Sequence, residues 1–119
     1  MQSYLVKIIF QIICGNGNHM PQFDEQLRLI TAEDEPGALV KARKIGEREQ
    51  ESFFNEERRL VQWKFIDVTD LFNLSGQPEG AEISSRIEEY DQAGAYIELV
   101  HRKAAQLEGA LSQKTMQLI

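Results

Sequence analysis

The sequence predicts an α+β domain: a four-stranded, mainly antiparallel sheet in the order β-β-α-β-β-α, with its helices on one face and a long C-terminal helix. Three observations predict it. Residues 4–13 and 25–32 alternate with a period of two and flank the reversal Gly15-Asn16-Gly17-Asn18. After residue 31 the apolar period lengthens to about three and a half, and it shortens again over residues 60–72. From about residue 91 nearly to the end, the pattern is helical.

In chain order, the first strand places Tyr4, Val6, Ile8, Phe10 and Ile12 on one face and Leu5, Lys7, Ile9, Gln11 and Ile13 on the other, so both faces are largely apolar. That is the composition of an inner strand. In the second strand Leu27, Leu29 and Thr31 oppose Gln26, Arg28 and Ile30, completing a hairpin with a roomy loop. Asp34 is then the expected N-cap of a helix, with Glu35 and Pro36 suited to its first turn, where a carboxylate meets the helix dipole and a missing N–H costs nothing. Leu39, Ala42, Ile45, Gly46, Glu49 and Phe53 follow at helical spacing, and the small Ala42 and Gly46 let this helix lie close on the sheet.

Residues 55–59 form a charged connection to the stretch L-V-Q-W-K-F-I-D-V-T-D-L-F, residues 60–72, which carries the single tryptophan and reads as a strand inside the sheet. Gly76, Pro78 and Gly80 mark a turn. Beyond them Ala81, Ile83, Ser85 and Ile87 alternate with Glu82, Ser84, Arg86 and Glu88, which predicts an outer strand paired with the Trp63 strand. The expected core anchors are Phe10, Phe53, Trp63 and Phe65. Residues 1–90 form the expected core domain, and residues 91–119 a helix that packs on that core, on a partner chain, or on both.

At 119 residues the chain fits one domain able to bury its own core. With 42% hydrophobic and 27% charged residues it lies near the globular average, away from disordered chains. A net charge of -6 disfavours nucleic acid and anionic lipid as partners and leaves basic proteins open. A nucleic-acid surface would need Lys7, Arg28, Lys64 and Arg86 to converge on one sheet face. The apolar run at residues 8–14 is too short for a membrane span and has no cleavage pattern after it, so neither a membrane segment nor a signal peptide is expected. One cysteine, Cys14, makes no internal disulfide and points to a reduced cytoplasm.

The motifs Y-L-V-K-I-I-F (residues 4–10), A-E-D-E-P-G-A-L-V-K-A (32–42), W-K-F-I-D-V (63–68) and E-I-S-S-R-I (82–87), in this order and spacing, resemble a bacterial family of uncharacterised proteins, domain of unknown function 4288. The resemblance covers about residues 3–88 and implies a bacterial source and a compact α+β domain. It brings no catalytic residue and no cofactor, and the helix after residue 91 lies outside it.

No catalytic, cofactor-binding or metal-binding set is expected from the residues themselves. Gly15-Asn16-Gly17 lacks the third glycine and the following helix of a phosphate-cradling loop, and it reads as a hairpin turn. His19 near Asp24 and Glu25 lacks further ligands at suitable spacing. Glu47, Glu49, Glu51, Glu56 and Glu57, interspersed with Arg48, Arg58 and Arg59, read as a solvated surface. Two pairs would serve a small enzyme, the alternative reading: Cys14 with His19 as nucleophile and base, and Asp67 with Asp70 as acid and base. The preferred reading of the second pair is structural: Asp67 pairs with a basic side chain and Asp70 caps a turn.

The sharpest pattern is in the last helix. Ala93, Ile97, Val100, Ala104, Leu107, Leu111, Lys114 and Leu118 recur at alternating intervals of four and three, the seam of a short coiled coil interrupted by Lys114. Glu98 and Arg102 support the helix on its outer side, and His101 flanks the seam. The functional expectation is a non-enzymatic binding domain, a homodimer using Ile97, Val100, Ala104, Leu107, Leu111 and Leu118. An acidic surface that meets a basic protein partner is its more specific form.

Overall fold

The computed structural model describes the backbone of residues 1–118 and the side chains of residues 1–114. Its elements are β1 (Gln2–Cys14), β2 (Gln22–Ala32), α1 (Glu35–Arg48), β3 (Glu51–Phe54), β4 (Leu60–Asn73) and α2 (Ala93–Leu118). The chain divides into two units, Met1–Ser84 and the segment from Ser85 onward.

In the first unit all pairings are antiparallel and the strand order is β2-β1-β4-β3. The expected order β-β-α-β-β-α and the antiparallel four-stranded sheet are both present, with β1 and β4 inside. Register explains the core. Tyr4, Val6, Ile8 and Phe10 lie on the face covered by α1 and are almost fully buried together with Ile30, Ala32, Ala38 and Ala42. Ile45, Trp63, Phe65, Val68 and Leu71 pack around them, half-buried.

The helix forms where its caps dictate. The Asp34 carboxylate accepts the Gly37 N–H at 2.8 Å, and Pro36 and Glu35 occupy the first turn. Gly46 lets α1 approach β4: a Cβ there would lie 2.4 Å from two Phe65 ring atoms.

Two expectations are corrected. The helix does not run on to Phe53; it ends at Arg48, and Phe53 lies on β3, an edge strand. The Asn55 side chain folds the following turn by accepting the N–H groups of Glu57 and Arg59, each at 3.0 Å, so this hairpin completes locally. Nor do residues 81–88 form a strand. They carry no regular structure, and Ile87 is 96% exposed. The position beside the Trp63 strand belongs to β3, which pairs residues 60–63.

The β4 strand has two register shifts against β1. Lys7 pairs with Asp70 and Ile8 with Val68, leaving Thr69 extra; Ile9 pairs with Asp67 and Phe10 with Phe65, leaving Ile66 extra. Each bulge moves the inward position by one, so Val61, Trp63, Phe65, Val68 and Leu71 share the α1 face although their spacing is not uniformly two.

In the second unit Arg86 and Tyr90 both donate to the Glu88 carboxylate, and the Tyr90 and Tyr96 rings stack with centroids 4.4 Å apart. The Tyr96 N–H donates to the Gln92 carbonyl oxygen at the start of α2. At 26 residues α2 is the longest element, about 39 Å at 1.5 Å per residue.

Candidate functional site

The Cys14 and His19 pair meets at the β1–β2 loop, but not as nucleophile and base. The backbone N–H of Cys14 donates to His19 Nε2 at 2.9 Å, and His19 Nδ1 lies 2.8 Å from the Met20 carbonyl oxygen. An amide N–H can only donate and a carbonyl can only accept, so the imidazole is neutral with its proton on Nδ1. The Nε2 lone pair that would take a thiol proton is already occupied. His19 is therefore a loop clamp, in a cleft of about 660 Å³ that also contains Asn16, Asn18 and Arg59.

The Asp67 and Asp70 carboxylates are held separately. Asp67 Oδ1 accepts the Val68 N–H at 2.8 Å and the Arg43 Nε–H at 3.1 Å, and these two bonds, the backbone one foremost, lower its pKa from the ordinary carboxylate range. Asp70 lies opposite Lys7 in the ladder, with its oxygen 3.6 Å from the ammonium, and accepts the Thr69 hydroxyl proton at 3.1 Å. Asp67 has the basic partner that the sequence suggested, whereas Asp70 caps no turn: it lies within β4 and faces Lys7 across the ladder. Among the described residues no group of three or more His, Cys, Asp and Glu is placed to hold a metal.

The four basic residues do not converge. By register Lys7 and Lys64 lie on the sheet face away from α1, Arg28 lies on the α1 face, and Arg86 belongs to the second unit. Arg28 forms a two-pronged pair with Glu49, at 2.7 and 3.0 Å, and also donates to Gln26 at 2.8 Å. The hydrogen bond raises the Arg28 pKa and lowers that of Glu49.

That pair belongs to a chain of polar contacts that the sequence did not reveal. Trp63 Nε1 donates to Asp24 Oδ2 at 3.2 Å, Gln26 donates to the same oxygen at 2.7 Å, and Arg28 joins Gln26 to Glu49 at the end of α1. Asp24, Gln26 and Arg28 alternate along β2 and so share one face, the only signal available from sequence. Gln26 and Arg28 border a cleft of about 490 Å³ that contains the Phe53 and Trp63 rings, stacked at 6.0 Å. Phe10 is buried as expected, Trp63 and Phe65 are half-buried, and Phe53 is 41% exposed at this cleft. The network ties the end of α1 to β2 and β4.

Two surfaces remain with apolar side chains toward solvent. On the sheet face away from α1, Phe23, Leu27 and Leu29 are more than half exposed, interrupted by the Lys7 and Asp70 pair. Along α2, every described side chain is exposed, and the seam positions Ile97 (52%), Val100 (44%), Leu107 (61%) and Leu111 (52%) stand in one stripe with Ala104 between them. The Leu118 side chain lies outside the described residues. No described helix is long and apolar enough to cross a membrane.

A family model described as "Domain of unknown function (DUF4288)" matches residues 3–85, the greater part of the chain and all of the sheet and α1 but Gln2. No curated protein matches the chain, and no solved structure does. The chain belongs to the DUF4288 family, and α2 lies beyond the matched residues.

Proposed function

We propose that this member of the DUF4288 family is a non-enzymatic binding domain of the bacterial cytoplasm that self-associates through α2. One observation carries the reading: a 26-residue helix presents Ile97, Val100, Ala104 and Leu107 as a continuous exposed stripe at intervals of three and four. A helix that kept its place only through its own hydrogen bonds would gain nothing from such a stripe, because most helical stability in proteins comes from packing an apolar face. Leu111 extends the stripe by one further interval. The net charge of -6 suits a basic protein as the further partner of the associated form and opposes nucleic acid and anionic lipid.

Light scattering tests the reading. The purified chain is expected to show twice its monomer mass at tens of micromolar, and Leu107→Asp to return it to the monomer mass while the sheet unit keeps its circular dichroism. A monomeric parent chain at high micromolar concentration overturns the proposal.

A further inference from the structure

We infer that α2 pairs with α2 of a second copy in parallel and in register, with Lys103 of each copy set against Glu108 of the other. The inference rests on the self-association reading and adds orientation and alignment to it. With Ile97, Ala104 and Leu111 at the first core position of the seven-residue repeat, and Val100 and Leu107 at the fourth, the two positions flanking the seam are fixed. Tyr96 and Lys103 precede first core positions; His101 and Glu108 follow fourth core positions.

In a parallel, in-register pair, a residue preceding a first core position meets the one five places later on the other helix. Lys103 then meets Glu108, and two-fold symmetry makes the contact twice. Ile97, Val100, Ala104, Leu107 and Leu111 each form a layer with their own copy. Lys114 meets Lys114 only in the final turns, where long stems carry both ammonium groups to water.

Antiparallel pairing sorts the same residues less well. Centred between Ala104 and Leu107, it sets Ile97 against Lys114 of the second copy and Glu108 against His101, leaving Lys103 opposite Ala110. Lys114 lies in the terminal turns in either arrangement, so the difference rests on the flanks, where loss of the lysine–glutamate contacts disfavours the antiparallel form. Charge complementarity at the flanks thus selects both the occupant of the stripe, a second copy, and its direction.

Cysteine cross-linking decides the orientation. In a chain carrying Cys14→Ser, Val100→Cys is expected to form a disulfide dimer with itself under mild oxidation, because parallel alignment brings residue 100 of both copies together. Lys103→Glu is expected to weaken the dimer about tenfold, and adding Glu108→Lys to restore it to within about twofold. A chain that is dimeric by light scattering, yet cross-links only when Val100→Cys is mixed with Leu111→Cys, overturns the parallel arrangement and leaves self-association standing. Equal dimer affinity for the Lys103→Glu single variant and the parent overturns the register. A monomeric parent overturns both readings.

Discussion

The inward face of β1 and the stripe of α2 are built from the same kinds of side chain and end in opposite environments. Val6 and Ile8 are 0% exposed, whereas Ile97 and Leu107 are 52% and 61% exposed. On β1 the period of two is met within the unit by α1, whose Ala38, Ala42 and Gly46 bring it onto the sheet. On α2 the period of three and four is as regular, and its apolar face is open to solvent. An apolar pattern thus specifies a face to be covered, while the cover itself must come from a second element of matching shape.

The largest expected effect falls on the covered face. Phe10→Ala should lower the unfolding free energy by about 3 to 5 kcal/mol, because a nearly fully buried ring that packs against Phe65 would leave a cavity. Urea denaturation measures it, and a loss below 1 kcal/mol would place Phe10 outside the core. Leu107→Asp, the corresponding change on α2, should leave the urea midpoint of the sheet unit unchanged. Trp63→Ala should fall between them, since the indole is half-buried and stacked on an exposed Phe53.

A smaller effect tests the close approach of α1. Gly46→Ala adds a methyl group into the Phe65 ring, an overpacking cost of about 1 to 3 kcal/mol, offset by up to about 1 kcal/mol from better helix propensity. A net fall of about 4 to 8 °C in melting temperature is expected for a loss near 1 kcal/mol. A variant that melts above the parent would show that the ring turns aside without cost.

The smallest effect is electrostatic. The folded-state pKa values of Glu49 and Asp67 are lowered by their partners, so their contribution is present above the ordinary carboxylate range near pH 4 and is lost as pH falls through the lowered values. Both groups are substantially exposed, which keeps the effect small. Replacing Arg28 and Arg43 together by Ala should flatten the acid limb of a melting-temperature profile and shift the neutral plateau little. An unchanged acid limb would show that these pairs do not couple to folding.

Much of the sheet was legible because β1, β2 and α1 follow local rules: alternation, an Asn-Gly reversal, and an aspartate cap three residues before the amide it binds. Misreadings arose where a local signal competed with a pairing it could not anticipate. Phe53 fits a helical stripe, yet Asn55 closes a hairpin that draws it into β3. Residues 81–88 alternate as a strand would, but β3 occupies the edge of β4 at residues 60–63, and beyond it the bulges at Ile66 and Thr69 distort the ladder. The Asp24, Gln26 and Arg28 network was hidden because its members are polar residues on an inward face, where alternation alone suggests only an edge strand. The pairing of His19 with the Cys14 amide rather than its thiol is a matter of one hydrogen bond, which spacing cannot specify.

The two extra residues of β4 also bear on how large an assembly can grow. A regular outer strand offers a row of free N–H and C=O groups, to which another sheet can add and then another without limit. Beyond Trp63 the β4 strand bends at Ile66 and again at Thr69, and β3 presents only four residues at the outer edge. Neither is a good template for continued sheet growth. The opposite edge, β2, is regular over 11 residues and keeps such a row, whereas the α2 pairing proposed above closes at two copies.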